Sequence, residues 1–543
     1  MPFVAASPSL RRAAFLVAAA GLAACTTLPE PPPAVPVFGP VRPPVVASSP
    51  APAPTTAAPA PTPAPSGLAS RFPEPSVNYR TPAFQLGHGA FTSAAEAQRL
   101  LQGLARDHAA VVRVLKVGED ASGAALEALL FSRSAQATPD SIRASGRATV
   151  VLHGPQRADA PAATEALLVV AQELARGRLQ SVLDKANVIV WPLVPAPGTA
   201  FDGDHLLLKT PQTQALARLV REYQPAVVAE VAEYLPSTEF SLRFSAVERH
   251  DAMLQYAAAG NLAPFVTKAA EEWFRQPMLA ALQQQGLAAE WHYGVAQGAV
   301  ERRLAMGSPL PDNSRNVQGL KNAVSLTIES RGEASGGRVY FKRRVHTLVT
   351  ALGSVLESAG ERSSDLLKIR QYVDAEISAQ ACKGTVVVEA GLSPGEHTLQ
   401  MLDAGTGAEK SSTVAWDSAL ALRELQVRPR PCGYWLDASE SVAVARLRLL
   451  GVRVEQVLSK GVVQGDTFVE TAANPREVKT VSALLDLAPG GYYVPLSQPL
   501  AHVAVAALEP DTAFSYWAGG LVTGVNKTAR VMAWPGVKTS QVP

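Results

Sequence analysis

The sequence predicts an α/β fold with a mixed, largely parallel central sheet flanked by helices, followed by a smaller α+β domain. Apolar runs of strand length (Ala148–Leu152, Val188–Pro192 and Ala226–Val231) alternate with helical apolar spacing in Ala163–Arg176 and Pro211–Tyr223. Strand, helix, strand at this rhythm belongs to parallel crossover units. A hydrophobic fraction of 47% against 18% charged residues, over 543 residues, supports a sizeable core and about two or three domains.

Composition also excludes classes of protein. A net charge of +2 gives no general reason to expect a nucleic-acid partner. Three cysteines are too few for a disulfide-built scaffold or a Cys-rich zinc module.

The elements ahead of the first strand read as a leader and a tether. Arg11 and Arg12 precede a short apolar stretch from Ala13 to Ala20, too short to cross a bilayer as a helix. It ends in Leu22-Ala23-Ala24-Cys25, which resembles the processing box of bacterial lipoproteins. That resemblance implies acylation at Cys25, with two or more chains sufficient for stable anchoring. Thr26 after the cysteine, where aspartate is absent, points to the outer membrane facing the periplasm. Between Pro29 and Pro75 lie 17 of the 43 prolines, with almost no charge. Such a segment buries too little apolar surface to fold and favours extended polyproline II. The expected organisation is a signal peptide over 1–25, a tether over 26–78, an α/β domain over 79–381 and an α+β domain over 382–543.

Further along, Val324–Ile328 reads as a later strand and Arg344 to Ala381 as one long helical region. After Cys382 the pattern turns to short β-like segments with Gly and Pro turns, beginning at Lys383–Ala390. An amphipathic stretch, Ser439–Leu450, then precedes the strand-like Val452–Val457. Cys382 and Cys432 either pair in an oxidising periplasm or stand as two isolated buried thiols.

Gly154-Pro-Gln-Arg-Ala-Asp-Ala-Pro-Ala162, between a strand and a helix, resembles the first zinc-binding segment of the carboxypeptidase A-like zinc carboxypeptidases. That family's loop reads His-Gly-Asp/Asn-Glu-Pro, and its His and Glu are zinc ligands. Here the matching positions are Arg157 and Ala160, with Pro161 kept. Asn187–Pro192 and Ala196-Pro197-Gly198 are similar to the strand and turn that follow. Asp202-Gly203-Asp204-His205 resembles an Asn-Arg-Asp-His segment whose Arg holds the substrate's terminal carboxylate, and Gly203 stands at that Arg. Val227–Tyr234 resembles the strand carrying the third ligand, and Ala232 stands at that histidine. Ser325–Gly332 is similar to the strand bearing the catalytic glutamate, which implies that role for Glu329. The resemblance spans roughly 84–381, and Tyr492–Pro499 and Leu508–Asp511 resemble an extension found in some bacterial members.

The resemblance implies a fold without its chemistry. A catalytic zinc of this kind needs three protein ligands and an open position for water. A guanidinium and two methyl groups supply none of those ligands, so no cofactor is expected and Glu329 is left without an activated nucleophile. The expectation is a silent member, tethered by lipid, that holds peptides such as cell-wall stem peptides. Two arrangements are open for Arg157: pairing with Glu329 and Glu233, or pointing to solvent. The alternative function is an active metallocarboxypeptidase with a relocated metal site, for which His153, Asp159, His205 and Glu233 are the candidates. A serine hydrolase is disfavoured, because no Gly-Xaa-Ser-Xaa-Gly elbow occurs and Ser325 is mid-strand. His88, His108, His250, His292, His346, His397 and His502 show no ligand spacing.

Overall fold

The computed structural model describes residues 67–296, 302–333, 337–471 and 474–542. The expected leader, Cys25 and most of the tether lie outside the described residues. Packed chain begins ahead of residue 79: Phe72 is buried beneath Arg331, whose guanidinium carbon is 4.6 Å from the ring centroid. Nearby prolines mask this anchor in the sequence. Among the described residues no helix is long and apolar enough to cross a membrane.

Eight strands form the central sheet: β1 Val112–Glu119, β2 Ala125–Phe131, β3 Ala148–Gly154, β4 Ala186–Pro192, β5 Val227–Tyr234, β6 Ala252–Tyr256, β7 Ala289–Trp291 and β8 Val324–Arg331. Their order is β1-β2-β4-β3-β5-β8-β6-β7. The middle four, β4, β3, β5 and β8, run parallel, while β2 joins β4 and β6 joins β8 in antiparallel fashion. All seven residues of β3 and of β4 are buried, as expected where helices cover both faces.

The two faces sort by the period of two. Val150 and Leu152 of β3 pack with Ala166 and Val170 of helix Pro161–Arg176. Val151 faces the other way, toward Leu216 and Val220 of helix Pro211–Tyr223. Both helices begin with proline in the first turn, where the missing N–H is no loss. The expected single helical region is two helices, Phe341–Glu361 and Ser363–Ala379, separated at Arg362.

Beyond residue 382 the sequence suggests short β segments, but the chain forms one long hairpin, Thr385–Asp403 with Glu409–Pro429. Register shifts near Val387, Glu389 and Gly391 interrupt the pairing, while Pro394 and Gly395, which read as a turn, stay in register opposite Asp417 and Trp416. The hairpin sits in a five-stranded sheet with Ala246–Glu248, Arg303–Met306 and Tyr293–Val295. A third, seven-stranded sheet collects the strands from Gly433 to Gln541. Cys382 and Cys432 form a disulfide that ties the hairpin's two ends.

Candidate functional site

Parallel α/β sheets bind ligands in the crevice beyond the carboxyl ends of their strands, where the strand order reverses. Here β3 feeds β4 on one side and β5 lies on the other. The loop after β3 carries Arg157 and Ala160, while the ends of β5 and β8 carry Ala232 and Glu329. In the β5–β8 register Glu230 lies opposite Thr327 and Ala232 opposite Glu329. Glu230 and Ala232 therefore share one face of β5, and Glu233 takes the opposite one.

Glu329 is the centre of the charge arrangement. Its Oε2 is hydrogen-bonded to Nδ1 of His292, and its side chain is 13% exposed. Burial works against ionising Glu329, but His292, then Arg315 and Arg157, overcome it and hold the carboxyl below its ordinary value. Arg315 is buried, and its Nη2 donates to the Ser308 carbonyl at 3.3 Å. Gly307 makes room for it. A Cβ at that position would lie 2.9 Å from Arg315 Nη2 and 3.3 Å from His292 Cδ2.

Glu230 behaves oppositely. Burial, and then the charge of Glu329, push its carboxyl up to about 8, against a smaller pull from Arg315. The floor thus holds an ionised Glu329 beside a Glu230 that stays protonated at neutral pH, as expected of close carboxyls in a desolvated site.

The residues singled out from sequence are divided by the fold. Arg157 forms no hydrogen bond or ion pair with Glu329 or Glu233, although its charge helps keep Glu329 ionised. It donates to Asp159 at 3.2 and 2.5 Å and stays half-exposed, so neither expected arrangement holds as stated. The physical reason is proximity: Asp159 is two residues away in the same loop, while the two glutamates have other partners. Arg344 Nε donates to Glu233 Oε1 at 2.7 Å, and the Ala162 N–H, at the start of a helix, donates to Oε2 at 2.9 Å. His153 is hydrogen-bonded to Ser314 at 3.0 Å and His205 to Gln156 at 2.5 Å. Burial lowers both imidazoles to about 3, so they are neutral packing groups. Gly203 is exposed, and its neighbour Asp204 accepts from the Lys209 and Thr210 N–H groups.

This residue set does not fit a catalytic zinc. At the three matched positions there is a guanidinium committed to Asp159 and two methyl groups. The relocated candidates each have another partner, and among the described residues no group of three or more His, Cys, Asp or Glu is placed to hold a metal ion. His292, Arg315, Glu230 and Arg344 escape sequence reasoning because long-range folding alone brings them together. Glu230 has the strongest sequence signal of the four, being an acid two residues from Ala232 in a strand whose other members, Glu233 apart, are apolar or aromatic.

A cavity of about 360 Å3 opens beside Glu329, within the range of small-molecule sites. Its back wall comes from the five-stranded sheet, where Glu248 and Tyr293 are placed by strands Ala246–Glu248 and Tyr293–Val295. Trp416 of the long hairpin supports that wall, with its ring 5.6 Å from Tyr293 and 4.5 Å from His397.

The architecture is a large mixed sheet flanked by helices, with further sheets in the C-terminal region, and the chain is similar in sequence to fungal carboxypeptidases. The chain is 22% identical over 409 residues to Carboxypeptidase 2 of Trichophyton rubrum, covering 70% of this chain and 74% of that protein. Carboxypeptidase 2 of Trichophyton equinum is 21% identical over 411 residues, with the same coverage. Among solved structures, a metallo-carboxypeptidase from Burkholderia cenocepacia matches 49% of this chain and 69% of its own, at 10% identity and a TM-score of 0.36. Carboxypeptidase A from Helicoverpa armigera matches 50% and 74%, at 12% identity and a TM-score of 0.37. No family model matches the chain.

Proposed function

We propose that this chain is a catalytically silent carboxypeptidase-fold protein that holds peptides in its cleft, anchored by lipid at Cys25 to the periplasmic side of an outer membrane. The observation that carries the proposal is the state of the three zinc-ligand positions. Arg157 is turned to Asp159, and Ala160 and Ala232 present methyl groups. Losing one ligand weakens a metal site, whereas losing three removes it. Glu329 keeps its carboxylate, but without an activated water it has no nucleophile to deprotonate. What remains is a cavity with charged walls at the place where the fold presents ligands. Cell-wall stem peptides suit the expected location, and nothing in the charge balance favours nucleic acid.

Metal content tests the silent reading directly. The purified chain, dialysed against trace zinc, is expected to carry less than about 0.1 metal per molecule by mass spectrometry. It is also expected to leave peptide C-termini intact. A stoichiometric zinc that survives dialysis would overturn the reading and return attention to His153, Asp159, His205 and Glu233.

A further inference from the structure

A second cavity, of about 350 Å3, shares no residue with the cleft beside Glu329. It lies between helices Gln276–Gln284 and Phe341–Glu361, with Val77 and Tyr79 on its wall. His346, Val349, Thr350, Ser354 and Glu357 also line it, and their three- and four-residue spacing sets them on one face of the longer helix. Two lining groups are spent on each other, the Tyr79 hydroxyl and His346 Nδ1, 2.9 Å apart. Burial, then the charges of Arg343 and Arg178, lower that imidazole below its ordinary value, so it is neutral at neutral pH.

Arg178, Gln284, Thr350, Ser354 and Glu357 differ. Among the described residues none of their side chains makes a hydrogen bond or ion pair. Arg343 and Arg344, on the longer helix, are paired with Asp251 and Glu233. The Arg178 guanidinium instead lies against Gly353 of that helix, with no acid bound to it. A Cβ at Gly353 would be 3.1 Å from Nη2 and 3.8 Å from Cζ of Arg178. Glycine inside a helix is a poorer choice than alanine, and here it leaves room for that head group. Glu173, close by, accepts the Arg178 backbone N–H at 3.0 Å.

These groups set a guanidinium, an amide, two hydroxyls and a carboxylate around one space. A phosphate or carboxylate ligand would satisfy Arg178 but meet Glu357, with Glu173 near. An ammonium would satisfy Glu357 but meet Arg178. An apolar ligand would take all five groups out of water unpaired. A hydroxyl both donates and accepts, so a ligand rich in hydroxyls can satisfy every one of them. Val77, Ala281 and Val349 add apolar surface for the C–H face of a sugar ring.

We propose that this second cavity binds a small neutral saccharide through Arg178, Gln284, Thr350, Ser354 and Glu357. The site stands independently of the peptide-binding reading, since it uses no residue of the cleft.

The experiment is titration of the full chain with maltose, cellobiose and di-N-acetylchitobiose, followed by saturation-transfer nuclear magnetic resonance, beside glycylglycine and inorganic phosphate. At least one disaccharide is expected to bind, and neither glycylglycine nor phosphate to displace it. Arg178→Ala, at an exposed position, is expected to weaken that disaccharide by about tenfold or more. Gly353→Ala, which favours the helix but crowds the guanidinium, is expected to weaken it severalfold. Failure of all three disaccharides to bind would overturn the proposal. Undiminished binding in Arg178→Ala would overturn it as well, as would tighter binding of glycylglycine or phosphate than of any disaccharide.

Discussion

Replacing Glu230 by glutamine removes a single proton equilibrium from the floor of the cleft. In the folded chain this carboxyl is raised from its ordinary 4.5 to about 8 by burial and by Glu329. Below pH 4.5 the group is protonated in both folded and unfolded chains. As pH rises from 4.5 toward 8 the unfolded chain releases the proton and the folded chain keeps it, so stability falls through that window. At about 1.4 kcal/mol for each pH interval of one, the loss approaches about 5 kcal/mol by pH 8 and then levels off. Glutamine mimics the protonated form and can keep the contact with the Thr327 hydroxyl, 3.5 Å away. The variant is therefore expected to match the parent at pH 4 and to exceed it by several kcal/mol at pH 9. Glu329, held below its ordinary value, contributes in the opposite sense, losing stability as pH falls, and it does so in both proteins. Urea unfolding at half-unit steps from pH 4 to 9 measures the difference. Parallel curves for parent and Glu230→Gln across that range would refute the buried-proton argument.

Other parts of the fold give equally direct outcomes. Arg344→Met leaves the fully buried Glu233 carboxylate with only the Ala162 N–H; removal of one partner from such a pair is expected to cost about 3–5 kcal/mol in denaturant unfolding, and a loss below about 1 kcal/mol would contradict the pairing. Reducing the Cys382–Cys432 disulfide, which closes a 50-residue separation, is expected to lower stability by about 4 kcal/mol, and unchanged melting of the reduced chain would count against it. Trp416→Ala should lose about 3–5 kcal/mol and loosen the wall behind Tyr293, read as a drop in the near-ultraviolet aromatic signal; an unaltered spectrum would show that the hairpin does not support the cleft.

The apolar runs of β3, β4 and β5 and the helical spacing between them settle the parallel centre of the sheet, because a strand buried on both faces has little other use. The order of short motifs fixes where Arg157, Ala160, Ala232 and Glu329 lie at its carboxyl edge, and residue identity alone shows that three of them cannot ligate a metal. Partner choice is a different matter. Arg157 turns to Asp159 because a neighbour two residues away needs no long-range folding to be reached. Glu329 meets His292 from 37 residues away, and Glu233 meets Arg344 from 111. Nor does local pattern reveal that bulges let Thr385–Pro429 run as one hairpin, whose Trp416 then backs a cavity built from strands before residue 382. Periodicity encodes which face of an element is buried. Which charged groups meet across that face depends on strand order and register, and these are properties of the whole chain.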